Sequence, residues 1–364
     1  MSKFRMLRRR STFALGVLVV VAAAAAALAV TAPAASDNAF KVTRLVSDRS
    51  GVATQSDGNL VNAWGLDALA GSPWWVADNG TSVSTIYRAD GTTARPPVNV
   101  PGRPTGLVAN ATQSFKVSDG TTTAAPLFIF ASEEGKIFGW NPGIAPNDAV
   151  DAHVENTAGA IYKGLAIAST PGGDFLYATD FHNGHVDVFD GTLHRAHLPA
   201  GAFTDPALPS EYAPFGIQNV GGKIVVTFAK QDADAEDEVA GQGKGFVDAF
   251  DTSGKLLARI GQRGQLNAPW GIAQAPSQGF GRFSGDLLIG NFGDGEITAF
   301  SQNPEGRWQP NGQLRTDHKV LSIDGLWALQ FGHNTTNNGP ATTLFFTAGP
   351  DDESHGLFGT ITAG

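Results

Sequence analysis

Trp64-Gly65-Leu66 opens a phrase that returns five times, as Thr105-Gly106-Leu107, Lys163-Gly164-Leu165, Phe215-Gly216-Ile217, Trp270-Gly271-Ile272 and Trp327-Ala328-Leu329. First to last spans 263 residues in five steps, about 53 per repeat, within the blade range of β-propellers. A strongly apolar run follows each opening, at 74–77, 127–131, 175–179, 224–228, 287–290 and 344–348. A polar turn and a third run come next, for example at 185–189, 245–250 and 296–300. Short β-rich runs parted by Gly-containing turns are hairpin signals. Asp90-Gly91, Asp190-Gly191 and Ser253-Gly254 supply the turn chemistry after third runs. A fourth, more polar run follows, as at 97–100 or 256–260.

The sixth repeat stops after its third run, 357–362, while 41–46 precedes the first repeat without a partner there. The expected fold is therefore an all-β, six-bladed β-propeller in which 41–46 is the outer strand of blade six. That closure joins the two ends of the ring and removes an exposed sheet edge. Length alone would also admit seven blades, but there are six openings.

Composition narrows the function classes. The 364 residues include 45 Gly and 23 Phe, are 42% hydrophobic and only 16% charged, so a large core can be buried. With no Cys, disulfides, thiolate metal sites and thiol nucleophiles are excluded. A formal charge of −9 argues against nucleic-acid binding, which needs a basic surface. Residues 1–34 read as a signal peptide: Lys3, Arg5, Arg8, Arg9 and Arg10, then an apolar run over 13–30, then Ala32-Pro33-Ala34. The competing reading is an uncleaved membrane anchor, because about 18 apolar residues just span a bilayer. With cleavage, residues 35–364 form a single exported propeller domain, expected to act as a monomer.

Longer motifs carry a resemblance. They include the run 60–66 around Trp64, Ser72-Pro73-Trp74-Trp75-Val76-Ala77-Asp78-Asn79-Gly80, Tyr177-Ala178-Thr179-Asp180-Phe181-His182-Asn183-Gly184, Gly290-Asn291-Phe292-Gly293-Asp294-Gly295 and Phe346-Thr347-Ala348-Gly349-Pro350-Asp351. Together they resemble an uncharacterised family of exported bacterial proteins, some with a C-terminal sorting tail. The resemblance implies a propeller broadly similar to NHL-repeat and gluconolactonase-like rings. The family has no established activity, so it assigns no catalytic residues.

In a propeller, the loops leading into inner strands and those joining second to third strands meet at one face. Trp64, Lys163, Phe215, Trp270 and Trp327 at the openings, with His182 and Lys230 after second strands, are candidates for binding a small molecule, glycan or protein. Packing of the Trp rings between blades is the alternative. Asp78, Asp180 and Asn291 follow second strands in blades one, three and five, a triangle that suits Ca²⁺ or another divalent cation on the axis. Turn capping by the same side chains is the simpler reading, and Lys163 or Lys230 would neutralise the mouth without metal. A binding or scaffold module is the leading function; a metal-dependent hydrolase or lyase is the alternative. Other motifs fail. His182-x-x-His185 lacks zinc-protease spacing, Gly241–Gly245 is not a phosphate loop, and there is no G-x-S-x-G. The acidic run 231–238 resembles half an EF-hand but has Asp237 where Gly is required.

Overall fold

The computed structural model describes residues 39–317 and 319–364; the expected signal peptide lies outside the described residues. Six small sheets stand in a ring, a six-bladed β-propeller. Blade one runs Ala63–Asp67, Trp74–Asp78, Val83–Tyr87 and Val98–Asn99 from the axis outward, every pair antiparallel. Blades two, four and five repeat this order. In blade six, Leu326–Phe331, Leu344–Ala348 and Leu357–Ala363 are completed by Phe40–Ser47. Lys41 pairs with Thr362 and Val42 with Ile361, so the expected closure is the observed one, with a bulge between Arg44 and Val46. Phe40 and Val46 are buried there, and Phe40 packs 4.9 Å from the Phe280 ring of blade five.

Blade three departs from the expected four strands. It has Tyr162–Thr170, Gly173–Asp180 and His185–Asp190, and its fourth strand is reduced to one bridge between Phe189 and Arg195. Pro199 and Pro209 flank the region, and the connecting chain turns repeatedly instead of extending. Among the described residues, no helix is long and apolar enough to cross a membrane.

The repeated opening has a single structural explanation. In all six blades the register between first and second strands slips at the opening, as between Ala63 and Leu66, Tyr162 and Gly164, and Pro269 and Gly271. A bulge puts an extra residue opposite its partner strand and re-aims the side chain, here toward the axis. The Gly that follows sits where neighbouring inner strands come closest. A Cβ on Gly65 would stand 2.5 Å from the Thr105 carbonyl oxygen, and one on Gly271 2.6 Å from that of Trp327. Second-strand hydroxyls then tie blades together: Thr179 Oγ1 donates to the Phe215 carbonyl at 2.7 Å, one blade on.

Candidate functional site

Five of the six opening side chains were expected to offer a ligand surface; the structure packs the four aromatic ones against one another. Trp64 and Trp327 stack with centroids 3.6 Å apart, and Trp270 meets both edge-on at 6.0 and 5.7 Å. Phe215 closes the group, Phe292 stacks on Trp327 at 4.1 Å, and Phe181 packs on Phe215. Trp64, Phe215 and Trp327 are at most 1% exposed. The result is an aromatic plug across the axis, which is the packing alternative. Beneath it the channel narrows to a cavity of about 30 Å³ lined by Leu66, Leu107, Leu165, Ile217, Ile272 and Leu329, room for a single water.

Lys163 is the exception among the openings. Its side chain is 1% exposed and rises from blade three beside the plug, with Nζ 5.3 Å from the Trp64 ring centre. Nζ donates to Glu133 Oε1 at 2.6 Å and to Asp237 Oδ1 at 3.1 Å. These carboxylates come from the turns after the second strands of blades two and four. The network continues sideways. Asn79 Nδ2 donates to Glu133 Oε2 at 3.1 Å, Asn62 Nδ2 donates to Asn79 Oδ1 at 3.3 Å and to Glu353, and Trp327 Nε1 donates to Asn62 Oδ1 at 3.0 Å. Blades six, one, two, three and four thus meet in one polar layer lying on the plug.

Local structure delivers each carboxylate. Glu353 sits on a left-handed turn in which Asp351, Asp352 and Glu353 have φ of 57°, 52° and 63°, closed by Glu353 N donating to Gly349 O at 3.1 Å. Such a conformation costs about 1–2 kcal/mol per non-Gly residue; Arg49 anchors it by pairing with Asp351 at 2.7 Å. Asp237 and Glu238 close the acidic run. Its backbone folds back on itself, with Asp232 N donating to Asp237 O at 2.9 Å. His182 holds this loop through Nδ1 and the Ala235 carbonyl at 3.2 Å. Lys230 is half-buried at the end of its strand and, among the described residues, makes no ion pair.

The electrostatics are uneven. Burial alone would raise the Glu133 carboxyl, but Lys163, Asn79 and Arg103 hold it below the ordinary value. Burial disfavours the Lys163 ammonium, yet Glu133, Asp237 and Glu238 outweigh it and raise its pKa. Glu238 is different: burial, with added repulsion from Glu353 and Asp237, pushes it up to about 8 despite Lys163. Burial also raises Glu353, against the bond from Asn62. Two carboxyls at the mouth therefore hold protons more tightly than carboxyls in water.

The expected metal triangle is not assembled. Asp78, Asp180 and Asn291 are fully buried, but each spends its hydrogen bonds inside its own blade. Asp78 Oδ2 accepts from Thr85 N at 2.7 Å, Asp180 Oδ1 from Asn183 N at 3.1 Å, and Asn291 Oδ1 from Asn267 N at 3.2 Å. Strand pairing turns these side chains toward the third strands and neighbouring turns, as the capping reading had it. Asp78 Oδ1 has no partner, and burial raises its carboxyl well above the ordinary value. The axial hydrolase or lyase reading loses its ligand set with this triangle.

No family model matches the sequence. Over 341 residues, 90% of this chain and 82% of the relative, it is 33% identical to uncharacterized protein R648 of Acanthamoeba polyphaga mimivirus. Over 338 residues, 88% and 85% of the two chains, it is 31% identical to uncharacterized protein L690 of the same virus. The solved structure of the soluble aldose sugar dehydrogenase of Escherichia coli in its apo-form matches with a TM-score of 0.53 at 13% identity, covering 89% of this chain and 100% of that one. A likeness at that identity speaks for the fold alone. The relatives are viral, so the resemblance to an exported bacterial family holds for the propeller and finds no support for the origin. By the extent and identity of these matches, the chain belongs to the family of uncharacterised proteins that includes R648 and L690 of Acanthamoeba polyphaga mimivirus.

Proposed function

We propose that this protein is a ligand-binding propeller, exported after loss of residues 1–34 and acting as a monomer. Its binding site is the axial mouth, and its ligand is a small molecule carrying protonated amines. One observation carries the reading: Glu238 and Glu353 reach the mouth from different blades, and neither forms an ion pair with a cation of the chain among the described residues. Lys163 is already engaged by Glu133 and Asp237. An incoming ammonium supplies the missing positive charge and donates to the carboxylates of Glu238 and Glu353.

The test is a thermal-shift panel of di- and polyamines, neutral sugars and dicarboxylates at pH 8. Amines should raise the melting temperature of the parent and do so less for Glu353→Gln. Stabilisation by neutral or anionic compounds alone, or equal amine effects in both proteins, would defeat the proposal.

A further inference from the structure

Blade three carries a second cluster, away from the plug, where the outer strand is missing. Asp180 ends the second strand and His185 and Asp187 lie at the start of the third, with one ligand atom of each within 4.8 Å of the others. His185 Nε2 is 2.9 Å from Asp187 Oδ1 and 3.6 Å from Asp180 Oδ2. Ligands bound to a tetrahedral ion at about 2.0–2.1 Å stand about 3.3 Å from one another, a value these two separations bracket. One imidazole with two carboxylates suits a first-row transition ion better than Ca²⁺ or Mg²⁺, which take oxygen alone.

The surroundings hold each donor in place. His185 Nδ1 is 3.3 Å from the Asn183 carbonyl oxygen, so a proton on Nδ1 donates there and leaves the Nε2 lone pair facing the carboxylates. Metal-bound imidazoles are usually oriented by such a bond. Tyr162 Oη donates to Asp187 Oδ2 at 2.7 Å, and Asn183 Nδ2 donates to Asp180 Oδ2 at 2.8 Å. Asp180 and Asp187 are at most 1% exposed, and two buried carboxylates need matching positive charge. Arg195 supplies some of it by pairing with Asp187, but its side chain is 40% exposed. It stands on the short segment that replaces the outer strand and also donates to Thr157 Oγ1 at 3.1 and 3.2 Å, a partner that stays in place when an ion takes over its role at Asp187.

We propose that Asp180, His185 and Asp187 form a site for a divalent transition ion of the Zn²⁺ kind. The ion takes Nε2, Oδ2 of Asp180 and Oδ1 of Asp187, replaces any proton on Nε2, and displaces the Arg195 guanidinium. Its two positive charges balance the two carboxylates, and water fills the open edge.

The test is calorimetric titration of Zn²⁺ into chelator-stripped protein, with Co²⁺ absorption as a second readout. The parent should take up one equivalent and show the visible bands of tetrahedral Co²⁺. Arg195→Ala should bind at least as tightly, since it removes the competing cation. Tyr162→Phe should weaken binding roughly 10–100-fold, as loss of an orienting partner does. His185→Ala, which alters a partly exposed side chain and spares the buried carboxylates, should lose the site. No stoichiometric uptake by either the parent or Arg195→Ala would overturn the proposal, as would uptake by His185→Ala equal to the parent's.

Discussion

Replacing Lys163 with Met removes one charge from the middle of the axial network while keeping most of the side-chain volume beside Trp64. Breaking a buried ion pair from one side costs about 3–5 kcal/mol, and the geometry argues for less here. The Asp237 side chain is 72% exposed, so water takes over when the ammonium goes. The Glu133 side chain is only 11% exposed, but it keeps Asn79 at 3.1 Å and Arg103 at 3.4 Å. The bond from Trp270 Nε1 goes to the Lys163 backbone carbonyl and survives. The expected loss is about 2–3 kcal/mol, or about 3–4 °C in melting temperature for a domain of this size. The pH dependence has a definite sign. Without Lys163, burial raises the Glu133 carboxyl, and a raised carboxyl contributes stability at low pH that is lost as pH rises through its folded value. The deficit against the parent should therefore be largest near pH 8 and shrink toward pH 4. Thermal and urea melts across that range measure it, and Glu133→Gln in the same chain should recover part of the loss. A variant as stable as the parent at pH 8, or a deficit that grows on acidification, would show that Lys163 is not the counter-ion described.

Ring closure rests on the Phe40–Ser47 strand: Phe40→Ala deletes a buried ring in contact with Phe280 and Phe283 and should cost about 3 kcal/mol by chemical denaturation. Trp327→Ala opens the plug and should cost about 3–5 kcal/mol, with a loss of near-ultraviolet circular dichroism from the stacked indoles. Burial raises Asp67 and Asp248 to about 6 and Glu238 to about 8. Each stabilises fully below its unfolded value near 4 and loses that contribution as pH rises through its folded value, so the melting temperature should fall from about pH 5 to pH 9. Glu238→Gln should flatten the upper part of that profile.

The architecture was legible because it is periodic. Six openings, apolar second runs and a spare strand at 41–46 leave one closed arrangement, and Gly at the openings reflects a close approach that recurs in every blade. The site was not, because its parts meet only through ring closure. Trp64 and Trp327 are far apart in the chain yet share one stack between neighbouring blades, and periodicity alone does not decide whether the opening side chains face a ligand or one another. Asp78, Asp180 and Asn291 occupy the positions expected of them, but strand pairing points them into their own blades. Glu133 and Glu353 lie in turns that follow second runs, and Asp237 and Glu238 close the acidic run. Their signal was the lone Lys163 among openings that are otherwise uncharged, a cation with no reason to be buried unless carboxylates surround it. The missing fourth strand of blade three left little mark in the hydrophobic pattern, because fourth strands are more polar than the strands inside them.

The central claim is that Glu238 and Glu353 release their protons to solvent when a cationic ligand binds at the axial mouth. Calorimetric titration with a polyamine such as spermidine, from pH 6 to 9 in two buffers of different ionisation enthalpy, tests it most directly. Because Glu238 titrates near 8, affinity should rise by up to about tenfold per pH unit below that value, with net proton release on binding that disappears above it. An affinity independent of pH with no proton released, or no binding at any pH, would contradict the account.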